Sequence, residues 1–233
     1  MTILALESSA KSVSCAVCSN DALLGQYFQN SGLTHSRTLL SMVESLLANL
    51  NMHIKDIELI AVSSGPGSFT GIRIGVAAAK GLAWGLDIPV CGISTLEAMA
   101  RQSAVKNATI CPVMDARRGQ MYNAMFEWDE SELVRKCPDR AIALDALASD
   151  LSDINAPRVD APCLLIGDGA RIAYEHLASL GIPCQMPPEL LSWQTAYGVA
   201  LAALHASPIP ATELEPFYLR PSQAEREREN SAR

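Results

Sequence analysis

"SSGPGSFTGIRIGVAAAKGLAWG", residues Ser63–Gly85, holds six glycines in 23 residues. A glycine-rich turn between a strand and a helix is a common phosphate cradle, because its N–H groups are free to point at an anion. Two templates for that role fail here on spacing. The P-loop needs a lysine directly after its second glycine, and none stands there. The dinucleotide fingerprint needs a third glycine where Thr70 stands, with Gly71 one residue late. Another pattern is present: Gly67, Gly71, Gly75 and Ala79 recur every fourth residue. From Thr70 onward this places small side chains on one face of a helix. Glycine inside a helix costs about 1 kcal/mol relative to alanine, so close packing must offset it. The face can lie against the chain's own sheet or receive another polypeptide, and residue type alone leaves both open.

Working outward, "TILALESS", "SVSCAVCS" and "ALLGQYFQN" are β-rich runs joined by short polar turns, which predicts an antiparallel meander. Thr34 is an N-cap candidate for a helix in which Leu39, Val43, Leu46, Leu47 and Leu50 recur at helical spacing. "IELIAVSSG" reads as a buried strand, "FTGIRIGVAAAKGLAWGL" as a helix, "IPVCGIS" as a strand and "TLEAMARQSA" as a helix. The order β-β-β-α-β-α-β-α is complete near residue 104. A second unit begins with a hairpin, "NATICPVMDARRGQMYNAMFEWDE", turning near Arg117–Gly119. "APCLLIGDGARIAYEHLASLGI" reads as strand, glycine turn and helix, with Asp168 as its cap. "SWQTAYGVALAALHAS" reads as a last helix capped by Ser192, followed by a charged tail.

Composition narrows the function. The 233 residues are 49% hydrophobic and 18% charged, which suits a globular domain with a substantial core. Net charge is −7, and no basic cluster exceeds Arg117–Arg118. Direct tight binding of nucleic acid by this chain alone is therefore not expected. "MTILALESS" has no basic region and carries Glu7, so it does not read as a signal peptide. Arg73 and Lys80 interrupt the longest apolar run, which argues against a membrane span. Seven cysteines without an export signal suggest reduced thiols and a cytoplasmic location. Cys15 and Cys18 form a C-x-x-C, but on a strand residues three apart face opposite sides and cannot share a metal.

Taken in order, "ILALESS", "HSRTLL", "GPGSFTGIRIGVAAAKGLAWGLDIPVCGISTLEAMA", "MDARRGQMYNAMFEW", "GDGA" and "PFYLRP" resemble the TsaB (YeaZ) family, which serves threonylcarbamoyladenosine synthesis in transfer RNA. The likeness is densest from Met1 to Trp128. It implies the two-lobed α/β fold of actin, sugar kinases and heat-shock chaperones (ASKHA), each lobe a mixed sheet with helices. The expected lobes are residues 1–104 and a reduced second lobe, 105–233, with a charged C-terminal tail. The resemblance also implies partners: the catalytic paralogue TsaD, the ATPase TsaE, and a second copy of the chain as a homodimer. The implied interface is the first two helices, here Leu39, Leu40, Val43, Leu46, Leu47, Gly71, Ile72, Gly75, Val76 and Ala79.

The catalytic relative carries a His-His-Leu-Glu-Gly-His metal motif. The matching stretch here is "STLEAM", Ser94–Met99, which keeps Leu96 and Glu97 but has no histidine. One carboxylate does not hold a catalytic metal, and His35, His53, His176 and His205 are scattered. No catalytic residue, metal site or cofactor of its own is expected; ATP or ADP and the metal are expected on partner subunits. For a nucleotide, Glu7, Asp115 and Arg118 are the candidates. Arg117 and Arg118 stand where kinases of this fold have small residues, yet they can meet phosphate as cations. The leading expectation is a non-catalytic activator and scaffold. The alternative is a small ATP-dependent kinase of the same fold; a metal-dependent peptidase ranks last.

Overall fold

A computed structural model describes residues 1–155 and 163–220. The charged tail beyond residue 220 lies outside the described residues. The chain opens with β1 (Thr2–Glu7), β2 (Val13–Ser19) and β3 (Ala22–Gln29), then α1 (His35–Asn49), β4 (Leu59–Gly65), α2 (Phe69–Leu86), β5 (Val90–Ser94) and α3 (Thr95–Ser103). This is the β-β-β-α-β-α-β-α order expected from periodicity. The strands form one mixed sheet in the order β3-β2-β1-β4-β5. β1 pairs antiparallel with β2 and parallel with β4, and β4 is parallel to β5. β1 and β4 are buried on both faces, which is why they read as continuous apolar runs without alternation.

The second half contributes β6 (Thr109–Asp115), β7 (Gln120–Asp129), β8 (Glu132–Ala143), α4 (Leu144–Asn155), β9 (Cys163–Ile166), α5 (Ala170–Ser179), β10 (Cys184–Gln185), α6 (Glu189–Ser192) and α7 (Ala196–Ala203). Its sheet runs β10-β9-β6-β7-β8. The expected β6–β7 hairpin turns over Arg117–Gly119. The twelve-residue β8 has no counterpart in the sequence reading. Its half-exposed "ELVRKCPDRAIA" carries four charges of Arg, Lys and Asp near a proline, and so resembles a loop in composition.

Helices cover both faces of the first sheet. α1 and α2 lie on one face, where Leu39, Val43, Leu46, Ile72 and Val76 join Leu4, Leu6 and Val62. On the other face α7 sets Ala196, Val199 and Ala203 against Ile3, Ala5 and Ala61. α3 links the two sheets: Ala98 faces the first core, and Leu96, Met99 and Ala100 face Ile110 and Phe126 of the second. Gly198 of α7 permits this crossing, since a Cβ there would lie 2.4 Å from the Ala98 carbonyl oxygen. Residues 196–203 therefore lie against the first sheet although they come late in the chain. Cys15 and Cys18 point into opposite faces of that sheet.

Two expected caps differ. Ser192 ends the short α6, and Thr195 takes the N-cap position of α7. Trp193 between them is extended, so the helical spacing read across residues 192–203 is broken there. The N-cap of α5 is Gly169, and Asp168 instead accepts a hydrogen bond from Gln194 Nε2 at 3.1 Å. Thr34 does precede α1, but its side chain makes no capping bond.

Candidate partner interface and interlobe site

The small-residue face of α2 is turned inward. Ser68 caps the helix, accepting from the Gly71 amide, and the first turn lies on the β1–β2 connection. A Cβ on Gly71 would lie 2.0 Å from the Ser8 carbonyl oxygen, and one on Gly75 would lie 2.5 Å from Ser8 Oγ. Ser8 Oγ donates to the Gly71 carbonyl, and the Ser68 amide donates to the Ser9 carbonyl. The glycines thus serve a backbone contact within the chain. Leu39, Val43, Leu46, Leu47, Ile72, Val76 and Ala79 are buried in the same core. Of the ten residues expected at an interface, only Leu40 is exposed, at 51%. The other nine are corrected to core residues, because their face of the helix pair is the one that meets the sheet.

The exposed face of α2 carries a second small-residue series that the sequence reading missed. Arg73, Ala77, Gly81, Trp84 and Gly85 point to solvent. A Cβ on Gly81 or Gly85 would meet nothing within 4 Å. Trp84 is 73% exposed, a large apolar side chain left mostly uncovered by the described residues. The signal was present in "GVAAAKGLAWG", but both faces of this helix are small, so spacing could not rank them. At the N-terminal end, Arg73 lies 3.8 Å from the centre of the Phe69 ring and donates through Nε to Tyr218 Oη. Phe69 and Tyr218 stack at 4.6 Å. The segment 209–220 is strapped along this edge: Ile209 bridges Val90, Lys80 Nζ donates to the Thr212 and Leu214 carbonyls, and the Phe217 amide donates to Ser64.

The candidate nucleotide residues are not assembled into one open site. Glu7 is wholly buried at the end of β1. One oxygen accepts from the Ser9 amide at 2.6 Å and the other from the Ser63 hydroxyl. Burial pushes its carboxyl above the ordinary value, and those two hydrogen bonds oppose the rise only in part. Such a carboxylate is not presented to a metal ion or to phosphate. Asp115 is exposed at the end of β6 and accepts from the Arg117 amide at 2.7 Å. Arg118 is exposed on the hairpin turn beside it. Asp168 has its carboxyl raised by burial first; Asp115 adds to the rise, and Gln194 and Lys11 oppose it.

Glu97, the one donor kept from the metal motif, is held by two guanidiniums, Arg101 at 3.0 Å and Arg135 at 3.1 Å. Arg135 also pairs with Asp139, which accepts from Ser94 Oγ at the start of α3. The cluster ties β8 to α3 and supplies positive charge from arginine. Among the described residues, no three His, Cys, Asp or Glu side chains converge as a metal site requires. No helix among them is long and apolar enough to cross a membrane.

A family model described as "TsaD: tRNA N6-adenosine threonylcarbamoyltransferase" matches residues 29–178, well over half of the chain. The "tRNA threonylcarbamoyladenosine biosynthesis protein TsaB" of Bacillus subtilis is 38% identical over 62% of this chain and 63% of its own length. The chain thus spans under two thirds of that curated relative. The Haemophilus influenzae protein of the same name is 29% identical over 94% of both chains. The crystal structure "YeaZ from Pseudomonas aeruginosa" superposes with a TM-score of 0.75 at 23% identity, covering 94% of this chain and 99% of that one. The fold of two mixed five-stranded sheets with helices against them is that of the YeaZ structure.

Proposed function

Because this chain belongs to the TsaB (YeaZ) family, we propose that it is a non-catalytic activator and scaffold for threonylcarbamoylation of adenosine in tRNA. It docks on its catalytic paralogue TsaD through the first-lobe helices α1 and α2. The observation that carries this reading is the outward face of α2. It combines an exposed tryptophan, a bare strip at Ala77, Gly81 and Gly85, and an arginine stacked on aromatic rings. Small residues let a foreign helix approach closely, and Trp, Tyr and Arg are the residue types that anchor interfaces. Leu40 on α1 and Leu33 just before it are also exposed. Without the paralogue, the same face pairs two copies of this chain, so homodimer and heterodimer compete. The ATPase TsaE completes the complex, in which this subunit holds the catalytic one in its working arrangement. The conversion of the metal motif to a Glu97–arginine cluster supports the non-catalytic role. The kinase alternative needs an acid at Glu7 open to Mg²⁺, and Glu7 is sealed in the core.

The test is to mix the chain with TsaD and follow association by light scattering. Gly81→Leu and Trp84→Ala each lie on the open face, so both variants fold. We expect the tryptophan change to weaken association at least tenfold, the range of an interface hot spot. Wild-type affinity in both variants would refute the docking surface. Substitution at Gly71 or Gly75 is uninformative here, because it disrupts the chain's own contact with Ser8.

A further inference from the structure

The β6–β7 turn carries a feature that neither packing nor the docking face explains. Arg117, Arg118 and Gly119 have φ values of 63°, 58° and 70°, three consecutive residues in the left-handed region. Side chains other than glycine are disfavoured there, and tight hairpin turns favour Asn-Gly for that reason. The turn does not need guanidiniums to hold its shape. Its backbone is closed by Ala116 N to Gln120 O, Gln120 N to Arg117 O, and the Arg117 amide to Asp115. The two side chains are exposed, and neither has a hydrogen-bond, ion-pair or ring partner among the described residues. The chain carries 25 acidic residues against 18 basic ones, yet no carboxylate side chain among the described residues is drawn onto either guanidinium. Arg101, Arg135, Arg140 and Arg171 all pair with carboxylates. Arg220 adds a third cation beneath the turn, donating to the Ala116 carbonyl at 2.6 Å.

We propose that this turn, through Arg117 and Arg118, contacts the phosphate backbone of the tRNA handled by the assembled complex. The proposal rests on the scaffold reading above. A guanidinium fork fits phosphate oxygens in a bidentate manner. Two adjacent free forks on an open tip suit successive phosphates of a polyanion. A single nucleotide would call for a walled pocket with a surface for its base, whereas a Cβ on Gly119 at the tip would meet nothing within 4 Å. With a net charge of −7 the chain alone is a poor tRNA binder. The turn adds contacts to a surface built mainly by its partner.

To test this, the chain is assembled with its catalytic subunit, and the complex is verified by light scattering. Its affinity for unmodified tRNA is then measured against salt concentration. In an intact complex, R117A/R118A weakens tRNA binding about tenfold near 0.1 M salt and lowers the log–log salt slope by about 2, one per lost phosphate contact. R117K/R118K retains the slope. Unchanged affinity and slope in the intact double-alanine complex would overturn the proposal. So would a loss confined to ATP binding, measured in parallel without tRNA, which would assign the arginines to a nucleotide. A wild-type chain that forms no complex overturns the docking reading and this one with it.

Discussion

Gly71 and Ser8 are in contact closely enough that Gly71 has no room for another carbon: a Cβ there would lie 2.0 Å from the Ser8 carbonyl oxygen. Ten residues along the same helix, Gly81 faces open space. One helix therefore uses glycine in two opposite ways, inward for backbone approach and outward as a bare surface.

This contrast predicts opposite effects for the same substitution. Gly71→Ala forces a methyl group against backbone that cannot step aside, and should destabilise by about 3 kcal/mol, the upper range for overpacking. Gly81→Ala gains helix propensity and should stabilise by about 1 kcal/mol. Chemical denaturation of the two variants beside wild type checks both signs. Equal effects would mean that the inward and outward faces are wrongly assigned.

Glu7 supplies a pH prediction. Its folded carboxyl is held above the ordinary value of 4.5 by burial. The fold therefore prefers the protonated form. Below about 4.5 both states are protonated, and the residue has no pH-dependent effect. As pH rises past that value the unfolded chain ionises first, and stability falls until the folded carboxyl also ionises. Glu7→Gln keeps an acceptor for the Ser9 amide and places an amide beside Ser63. Its melting temperature relative to wild type should rise as pH increases past about 4.5 and level off once the folded carboxyl ionises. A difference that never rises, or that declines, contradicts the assignment.

The strap over α2 depends on a small aromatic stack. Phe69, Tyr218 and Arg73 together hold the Phe217 amide on the Ser64 carbonyl, a 2.7 Å bond. Ring stacking and a partly exposed cation–π contact are worth about 1–2 kcal/mol together. Tyr218→Ala should speed hydrogen exchange at the Phe217 amide about tenfold, while the β1 amides of the sheet centre stay protected. Exchange unchanged at Phe217 would show that Lys80 and the Val90–Ile209 bridge suffice.

Thiol reactivity should follow burial. Burial pushes Cys15 up to about 12 and Cys18 up to about 11, so both are protonated at pH 8 and covered as well. Cys137 and Cys184 are only half-buried. Alkylation of the native chain at pH 8, read by mass spectrometry, should reach these two first. Early modification of Cys15 would mean that the first sheet opens under native conditions.

The first half of the fold was legible because its signals are local. Apolar runs and the four-residue spacing of α2 both act within a few residues of themselves. β8 was not legible, since its residues take their places from β7 and α3 rather than from alternation. The Arg135–Glu97 pair shows why: the residues are far apart in sequence and meet only once β8 is laid beside α3.

From its sequence alone this protein declares a β-β-β-α-β-α-β-α first lobe, a glycine-bearing helix at Phe69–Leu86, a missing histidine metal motif, and two adjacent arginines on a hairpin. Only the tertiary structure decided which face of that helix is inside, that Glu7 is sealed by Ser9 and Ser63, and that α7 returns to cover the first sheet. The physical reason is that helical period tells which residues share a face, while burial depends on what the rest of the chain brings against it. On a helix with small residues all round, only the Ser8 backbone on one side and its absence on the other could separate core from surface.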